Sequence, residues 1–67
     1  MLELVLNGQK IQFETPLTLQ QLLETKGYKK GEVAVAVDQI FVPRSQYDDF
    51  ILRSEQKIEI LSPMQGG

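Results

Sequence analysis

The dipeptide Asn7-Gly8, with alternating apolar residues on both sides, most constrains what this chain can fold into. Both residues tolerate the positive φ angles of a type I′ turn, the common connection of a two-residue β-hairpin. Such a turn pairs Leu2 with Phe13 and Leu4 with Ile11 on one face of the hairpin. The sequence therefore begins with two predicted antiparallel strands that share one apolar face.

A helix is predicted after the hairpin, over Leu19–Lys26. Thr18 is a good N-cap, and Gln21, three residues later, completes a capping box. Gly27 suits the left-handed position that follows a helix. Three leucines of this segment form one apolar stripe, so the helix can cover the apolar face of the hairpin.

Alternating β-branched residues over Val33–Val37 predict a third strand, which is buried on one or both faces. We expect Asp38-Gln39 to turn this strand into a short fourth one, Ile40–Val42. Pro43 cannot donate a hydrogen bond to a ladder and is predicted to end the fourth strand.

The apolar positions of Arg44–Phe50 and the following isoleucine have helical spacing, which predicts a short helix or a single helical turn. Lys57–Leu61 alternates in hydrophobicity and supplies the last predicted strand. We expect one domain over residues 1–61 and a flexible C-terminal tail over residues 62–67. The order ββαββ, short helix, β predicts an α+β fold in which a mixed sheet packs on one main helix, the order of the β-grasp fold.

The composition excludes several kinds of chemistry. The 67 residues include 22 Val, Ile, Leu and Phe but no Cys, His or Trp. That apolar content is well above the range of disordered chains. Without His and Cys there is no Ser-His-Asp relay, no thiol nucleophile and no zinc cluster, so neither catalytic nor metal-binding residues are expected.

The charge and hydropathy pattern predicts neither nucleic-acid nor membrane binding. The net charge is −2 and the sequence pI is about 4.9, whereas nucleic-acid-binding domains usually carry a basic stripe. Lys29 and Lys30 alone do not make one. No apolar run reaches 18 residues, and Met1 leads directly into a strand pattern without a signal peptide. We therefore expect a soluble cytoplasmic protein.

The sequence ends in Gly66-Gly67. One interpretation is a frayed terminus or an expression scar without function. The alternative is a carrier of an activated carboxyl group. The α-carboxylate of Gly67 is ionised at neutral pH and must be activated, for example as an acyl-adenylate, before a sulfur nucleophile can attack it. Glycine has no Cβ, so Gly66 and Gly67 can enter a narrow cleft, and six extended tail residues reach about 20 Å.

The chain resembles the ThiS-type sulfur carriers of thiamine biosynthesis, a family within the ubiquitin-like β-grasp superfamily, over essentially its whole length. The motifs that carry the resemblance are Asn7-Gly8, Thr18–Leu23, Val35–Asp38, Val42–Arg44 followed by Tyr47, Ile58–Ile60 and Gly66-Gly67. Three places differ from the family's common residues: Tyr47 replaces a frequent Trp, Glu55-Gln56 a Gly-Asp turn, and Pro63 a β-branched residue.

The resemblance implies a function and a set of partners. A ThiF-type, E1-like adenylyltransferase would use ATP to adenylate Gly67, and a sulfur relay from a cysteine desulfurase would convert the adenylate to a thiocarboxylate. A ThiG-type thiazole synthase would then take the sulfur for the thiazole moiety of thiamine. Gly67 is implied as the acceptor and Gly66 as its slim neighbour. The chain itself would bind no cofactor and would act as a protein cosubstrate, not as an enzyme.

Two further groups of residues have a functional and a structural interpretation. Leu61 and Met64, together with Val5, could form a docking patch for the activating enzyme, or could be ordinary apolar residues near the end of a strand. Arg44 could pair with Asp48 or Glu59 and so fix the short helix, or could meet an acidic partner surface.

Alternative functions also remain. A carrier similar to the small subunit of molybdopterin synthase would share the fold and the diglycine, although that family tends to be longer. A ubiquitin-like binding module would use only its sheet face, and a protein modifier would be conjugated to lysines.

Overall fold

The computed structural model describes residues 1–62, which form five strands, one α-helix and two short 3₁₀ helices. The strands are β1 (Leu2–Leu6), β2 (Gln9–Phe13), β3 (Ala34–Val37), β4 (Ile40–Val42) and β5 (Lys57–Leu61). Helix α1 spans Leu19–Thr25, and the 3₁₀ helices span Lys30–Glu32 and Arg44–Gln46. The predicted element order is confirmed, and the first 3₁₀ helix is an addition to it.

The five strands form one mixed sheet in the order β2-β1-β5-β3-β4. The last strand of the sequence lies at the centre of the sheet, parallel to β1 and antiparallel to β3. The other neighbouring strands are antiparallel hairpins. The predicted α+β architecture with a mixed sheet is therefore confirmed.

The first hairpin has the predicted register. Leu2 lies opposite Phe13, and Leu4 lies opposite Ile11. Asn7 and Gly8 have φ angles of 48° and 85°, as a type I′ turn requires. The turn that joins β3 to β4 also has two residues with positive φ.

Helix α1 has the predicted capping box. The backbone N–H of Gln21 donates to the Thr18 hydroxyl at 3.2 Å, and the Thr18 backbone N–H donates to the Gln21 side chain at 2.9 Å. Gly27 follows the helix with φ of 84°. The helix ends one residue before the predicted limit, at Thr25, because Lys26 is its C-cap.

Helix α1 and one face of the sheet share a single hydrophobic core. The buried side chains of this core are Leu2, Leu4, Leu19, Leu22, Leu23, Val33, Val35, Val37, Val42, Tyr47, Leu52, Ile58 and Ile60. Val33 belongs to this core although it precedes β3, which begins one residue later than predicted. Most described side chains on the opposite face of the sheet are exposed or only partly buried.

The short helix or single helical turn predicted within Arg44–Phe50 is present as the 3₁₀ turn Arg44–Gln46. The carbonyl oxygens of Tyr47 and Phe50 accept hydrogen bonds from the first two N–H groups of α1, at 3.0 and 2.8 Å. These two hydrogen bonds join the segment that follows the 3₁₀ turn to the N-terminus of α1. Tyr47 is 1% exposed and belongs to the hydrophobic core, whereas Ile51 is 65% exposed.

The expected ion pairs of Arg44 are not present. Asp48 pairs instead with Lys30, at 3.1 Å, and this pair links the first 3₁₀ helix to the turn that follows the second. The Arg44 guanidinium donates to the carbonyl oxygen of Gly31 at 3.4 Å. Arg44 therefore contacts the same segment by a backbone interaction that the sequence pattern did not reveal. In the turn that precedes β5, Glu55 has a φ angle of 74°, in the left-handed region that glycine adopts more readily.

Candidate functional site

The end of β5 is the place where the predicted tail begins. Leu61 is the last residue of the strand, and Ser62 is the last residue that the structure describes. Three of the predicted site residues, Met64, Gly66 and Gly67, lie outside the described residues. Their assigned roles, and the predicted tail, therefore stay predictions. Leu61 and Val5 are the two predicted site residues whose positions are described.

The two faces of β5 have different environments. Ile58 and Ile60 point into the core and are at most 6% exposed. Lys57, Glu59 and Leu61 alternate with them and are exposed on the opposite face of the sheet. We call this second face the open face. It is the surface that the domain presents immediately before the tail.

An apolar group of side chains occupies one end of the open face. Leu61 lies opposite Ala34 on β3, and Ala36, two residues further along β3, lies opposite Phe41 on β4. Leu61 is 52% exposed and Phe41 is 63% exposed. We define these four residues, Ala34, Ala36, Phe41 and Leu61, as the open-face patch. Because the two alanines are small, the larger side chains stand above the sheet on either side of them.

The open-face patch is bordered by charge. Glu59 is exposed and lies opposite Ala36 on the side away from Phe41. Large exposed apolar side chains on one face of a small domain are typical of protein interaction sites, and a charged neighbour adds orientation to such a contact. The arrangement can dock a partner protein beside the start of the tail.

Val5 does not belong to this patch. It lies on the same face but pairs with Lys57, four residues before Leu61 on the same strand. Four residues of a strand span about 13 Å. Val5 is half-buried in a small depression with Glu3 and Lys10. The structure thus places Val5 and Leu61 on one surface without bringing them into contact.

Phe41 is the large patch residue that the sequence interpretation missed, together with the two alanines between it and Leu61. The predicted two-residue turn at Asp38-Gln39 already implies that Phe41 faces Ala36, by the same pairing rule as in the first hairpin. What could not be inferred is that β5 lies on the other side of β3. Only that neighbourhood brings Phe41 and Leu61 to one end of the open face.

Within residues 1–62, no group of three or more His, Cys, Asp or Glu side chains is arranged to hold a metal ion. Over the same residues, no helix is both long and apolar enough to cross a membrane.

The architecture and the open face together define a small ubiquitin-like β-grasp domain. The structure is similar to the crystal structure of the thiamine biosynthesis protein ThiS from Geobacter metallireducens, with a TM-score of 0.83. The two chains are 23% identical, over 98% of this chain and 100% of that one. An NMR solution structure of a thiamine biosynthesis protein from the same organism gives a TM-score of 0.80 at 23% identity, over 98% of this chain and 88% of that one.

The chain belongs to the ThiS family, whose model matches residues 3–67. It is also 32% identical over 66 residues to a thiazole synthase from Paramagnetospirillum magneticum. That match covers 98% of this chain but only 20% of the thiazole synthase, so the chain spans about a fifth of that relative. A protein named ycf40 from Pyropia yezoensis is 27% identical over 62 residues, which are 92% of this chain and 87% of that protein.

Proposed function

We propose that this protein is the sulfur carrier of a thiamine biosynthesis pathway and acts as a cosubstrate of partner enzymes. The observation that carries this proposal is the extent of the family match, which runs over residues 3–67 and so includes Gly66-Gly67. A match confined to the folded domain would support the fold alone. Membership that extends through the diglycine supports a function for those two residues.

The proposed acceptor is a free α-carboxyl group at Gly67. In the first step, a carboxylate oxygen attacks the α-phosphorus of ATP on a ThiF-type activating enzyme, which gives the acyl-adenylate and releases pyrophosphate. In the second step, hydrosulfide attacks the acyl carbon, AMP leaves, one proton is released and a thiocarboxylate remains. A persulfide from a cysteine desulfurase relay gives the same product once a thiol has reduced the intermediate acyl disulfide.

The lack of side chains at Gly66 and Gly67 suits both steps. A Cβ next to the reacting carbonyl would obstruct the attacking atom and would narrow the range of backbone conformations. ATP is consumed by the partner, so the carrier itself needs no resident cofactor.

The proposed acceptor of the sulfur is a ThiG-type thiazole synthase. The similarity to a fifth of a protein named thiazole synthase supports this partner, because a segment like the present chain is part of that relative. We propose that the carrier and the synthase meet here as separate chains, and that the thiocarboxylate donates its sulfur and returns to a carboxylate.

The open-face patch is the proposed docking surface for the activating enzyme. Its two large apolar side chains, Phe41 and Leu61, are more than half exposed, and Leu61 is the last residue of the strand that precedes the tail. A partner that covers this patch also holds the origin of the tail, which confines the carboxyl group to a small volume. Val5 contributes to the same surface only if the contact extends about 13 Å along β5.

The test is intact-mass spectrometry of the purified protein after incubation with ATP, a ThiF-type enzyme and sulfide. The first spectrum, before incubation, establishes that Gly67 carries the free carboxyl group. The expected product has one oxygen replaced by one sulfur, and the same incubation of a protein without Gly67 leaves its mass unchanged. If several activating enzymes yield neither adenylate nor thiocarboxylate, the carrier function is wrong.

The same experiment separates the alternatives. A binding module would keep its affinity for a partner after removal of Gly67, whereas a carrier loses all sulfur transfer. Activity of the thiocarboxylate with molybdopterin synthase, and none with a thiazole synthase, would place the protein in the other sulfur-transfer pathway. Isopeptide-linked products in a cell lysate would identify a protein modifier.

A further inference from the structure

The last part of β5 extends beyond the end of its neighbour β1. The two strands are paired in parallel over two residue pairs, and β1 then enters the turn at Asn7. β5 continues to Leu61. In a continued parallel ladder, the backbone N–H of Ile60 would donate to a backbone carbonyl oxygen of the neighbouring strand, which has already turned away.

Asn7 provides the missing acceptor with its side chain. Its backbone N–H donates to the carbonyl oxygen of Ile58 at 2.8 Å, and its Oδ1 accepts from the N–H of Ile60 at 2.9 Å. Ile60 is only 6% exposed, so without this acceptor a largely buried N–H would lack a partner. The turn residue therefore extends the ladder by one hydrogen bond towards the tail.

We propose that Asn7 is a positioning residue for the carrier tail: it holds the end of β5 and so fixes where residues 62–67 leave the domain and how Leu61 is presented. This proposal rests on the proposed function, because it assigns Asn7 a role in presenting the Gly67 carboxyl group to partner enzymes. Position 7 needs a residue with two properties. Asn adopts the positive φ of the turn and also carries the oxygen that Ile60 needs.

The start of β5 contains the same interaction and offers a matched control. Asp38 also has a positive φ, of 50°, and its Oδ1 accepts from the backbone N–H of Lys57 at 2.9 Å. Its own N–H donates to the Lys57 carbonyl oxygen at 2.7 Å. Asn7 and Asp38 thus make equivalent contacts at opposite ends of one strand, and only Asn7 acts near the tail.

The first measurement is native-state hydrogen exchange in three variants, Asn7→Gly, Asp38→Gly and Asn7→Asp. Glycine keeps the positive φ but removes the acceptor oxygen, whereas aspartate keeps both. Relative to core amides of β3, Asn7→Gly is expected to speed exchange at Ile60 and Leu61 about fivefold, the equilibrium equivalent of one ordinary hydrogen bond. Asp38→Gly should speed exchange at Lys57 by a similar factor and leave the exchange rate of Leu61 unchanged.

The second measurement is the steady-state adenylation of each variant by a ThiF-type enzyme. Asn7→Gly is expected to raise the KM for the carrier about fivefold with kcat within about twofold, because the partner must re-order the end of β5 on binding. Asp38→Gly should leave KM within about twofold of the parent, and Asn7→Asp should restore it. A merely structural role would raise KM equally in both glycine variants.

The outcomes separate this proposal from the proposed function. Unchanged exchange at Ile60 in Asn7→Gly, or an equal rise in KM for Asp38→Gly, overturns the positioning role. If the ThiF-type enzyme does not adenylate the parent protein, the carrier function is contradicted, and so is the proposed effect of Asn7 on KM. The exchange data still decide in that case whether Asn7 holds the end of β5.

Discussion

Leu61 lies directly opposite Ala34 in the β3–β5 ladder, and about half of its surface is exposed although its strand is central in the sheet. The small size of Ala34 leaves the Leu61 side chain accessible on one flank. A central strand usually carries the most protected residues of a sheet. Here the final residue of the strand combines a paired backbone with an accessible apolar side chain, which suits a docking contact at the end of β5.

Replacing Leu61 with Ser is expected to weaken docking without weakening the fold. The side chain is outside the hydrophobic core, so the free energy of unfolding should change by less than about 0.5 kcal/mol. The KM for the carrier in adenylation should rise about five- to tenfold, as for truncation of an interface anchor. Ile51→Ser is the control, because Ile51 is 65% exposed and lies outside the open-face patch. An equal rise in KM for the control would contradict the assignment of the docking surface.

Replacing Gly66 with Ala is expected to reduce kcat/KM for thiocarboxylate formation at least about tenfold, because a Cβ next to the acceptor displaces the carbonyl from its reactive position. The melting temperature should not change. The matched control is Gly31→Ala, since a Cβ at Gly31 meets no heavy atom within 4 Å. Intact-mass kinetics measure both variants, and full activity of Gly66→Ala would show that the slim neighbour is unnecessary.

Replacing Thr18 with Ala removes the hydroxyl that accepts the N–H of Gln21. The expected loss of stability is about 1 kcal/mol, the usual cost of an N-cap. For a domain of this size that loss lowers the melting temperature by about 4–8 °C. Thr15→Ala, in the exposed loop before the helix, should shift it by less than about 2 °C. Calorimetry measures both melting temperatures, and equal shifts in the two variants would contradict the role of Thr18 as the N-cap.

A double-mutant cycle on Lys30 and Asp48 should give a coupling free energy of about 0.2–1 kcal/mol, because the pair is partly exposed. The coupling should decrease at high salt. The parallel cycle on Arg44 and Asp48 should give no coupling within error, since Arg44 contacts the Gly31 carbonyl instead. Chemical denaturation of Lys30→Met, Asp48→Asn and Arg44→Met measures both cycles. Coupling of Arg44 but not Lys30 would contradict the observed contacts.

The parts of the fold that depend on near neighbours were predictable from the sequence. The Asn7-Gly8 turn determines the register of β1 and β2, and the Thr18 hydroxyl and Gln21 side chain determine where α1 begins. These interactions join residues at most a few positions apart, so steric preference and local hydrogen bonding are sufficient. The candidate acceptor Gly67 and its neighbour Gly66 were likewise visible in the sequence, because their proposed role depends on the absence of a side chain.

The tertiary structure decided everything that depends on distant residues meeting. The carbonyl oxygens of Tyr47 and Phe50 accept hydrogen bonds from the first two N–H groups of α1, a contact between segments that are distant in the sequence. Insertion of β5 between β1 and β3 joins Phe41 and Leu61 into one patch, separates Val5 from it and brings Ile60 to the side chain of Asn7. The physical reason is that a strand pattern specifies which side chains are buried but not which strand becomes its neighbour. That choice minimises the exposed apolar area and the unpaired backbone groups of the whole chain at once.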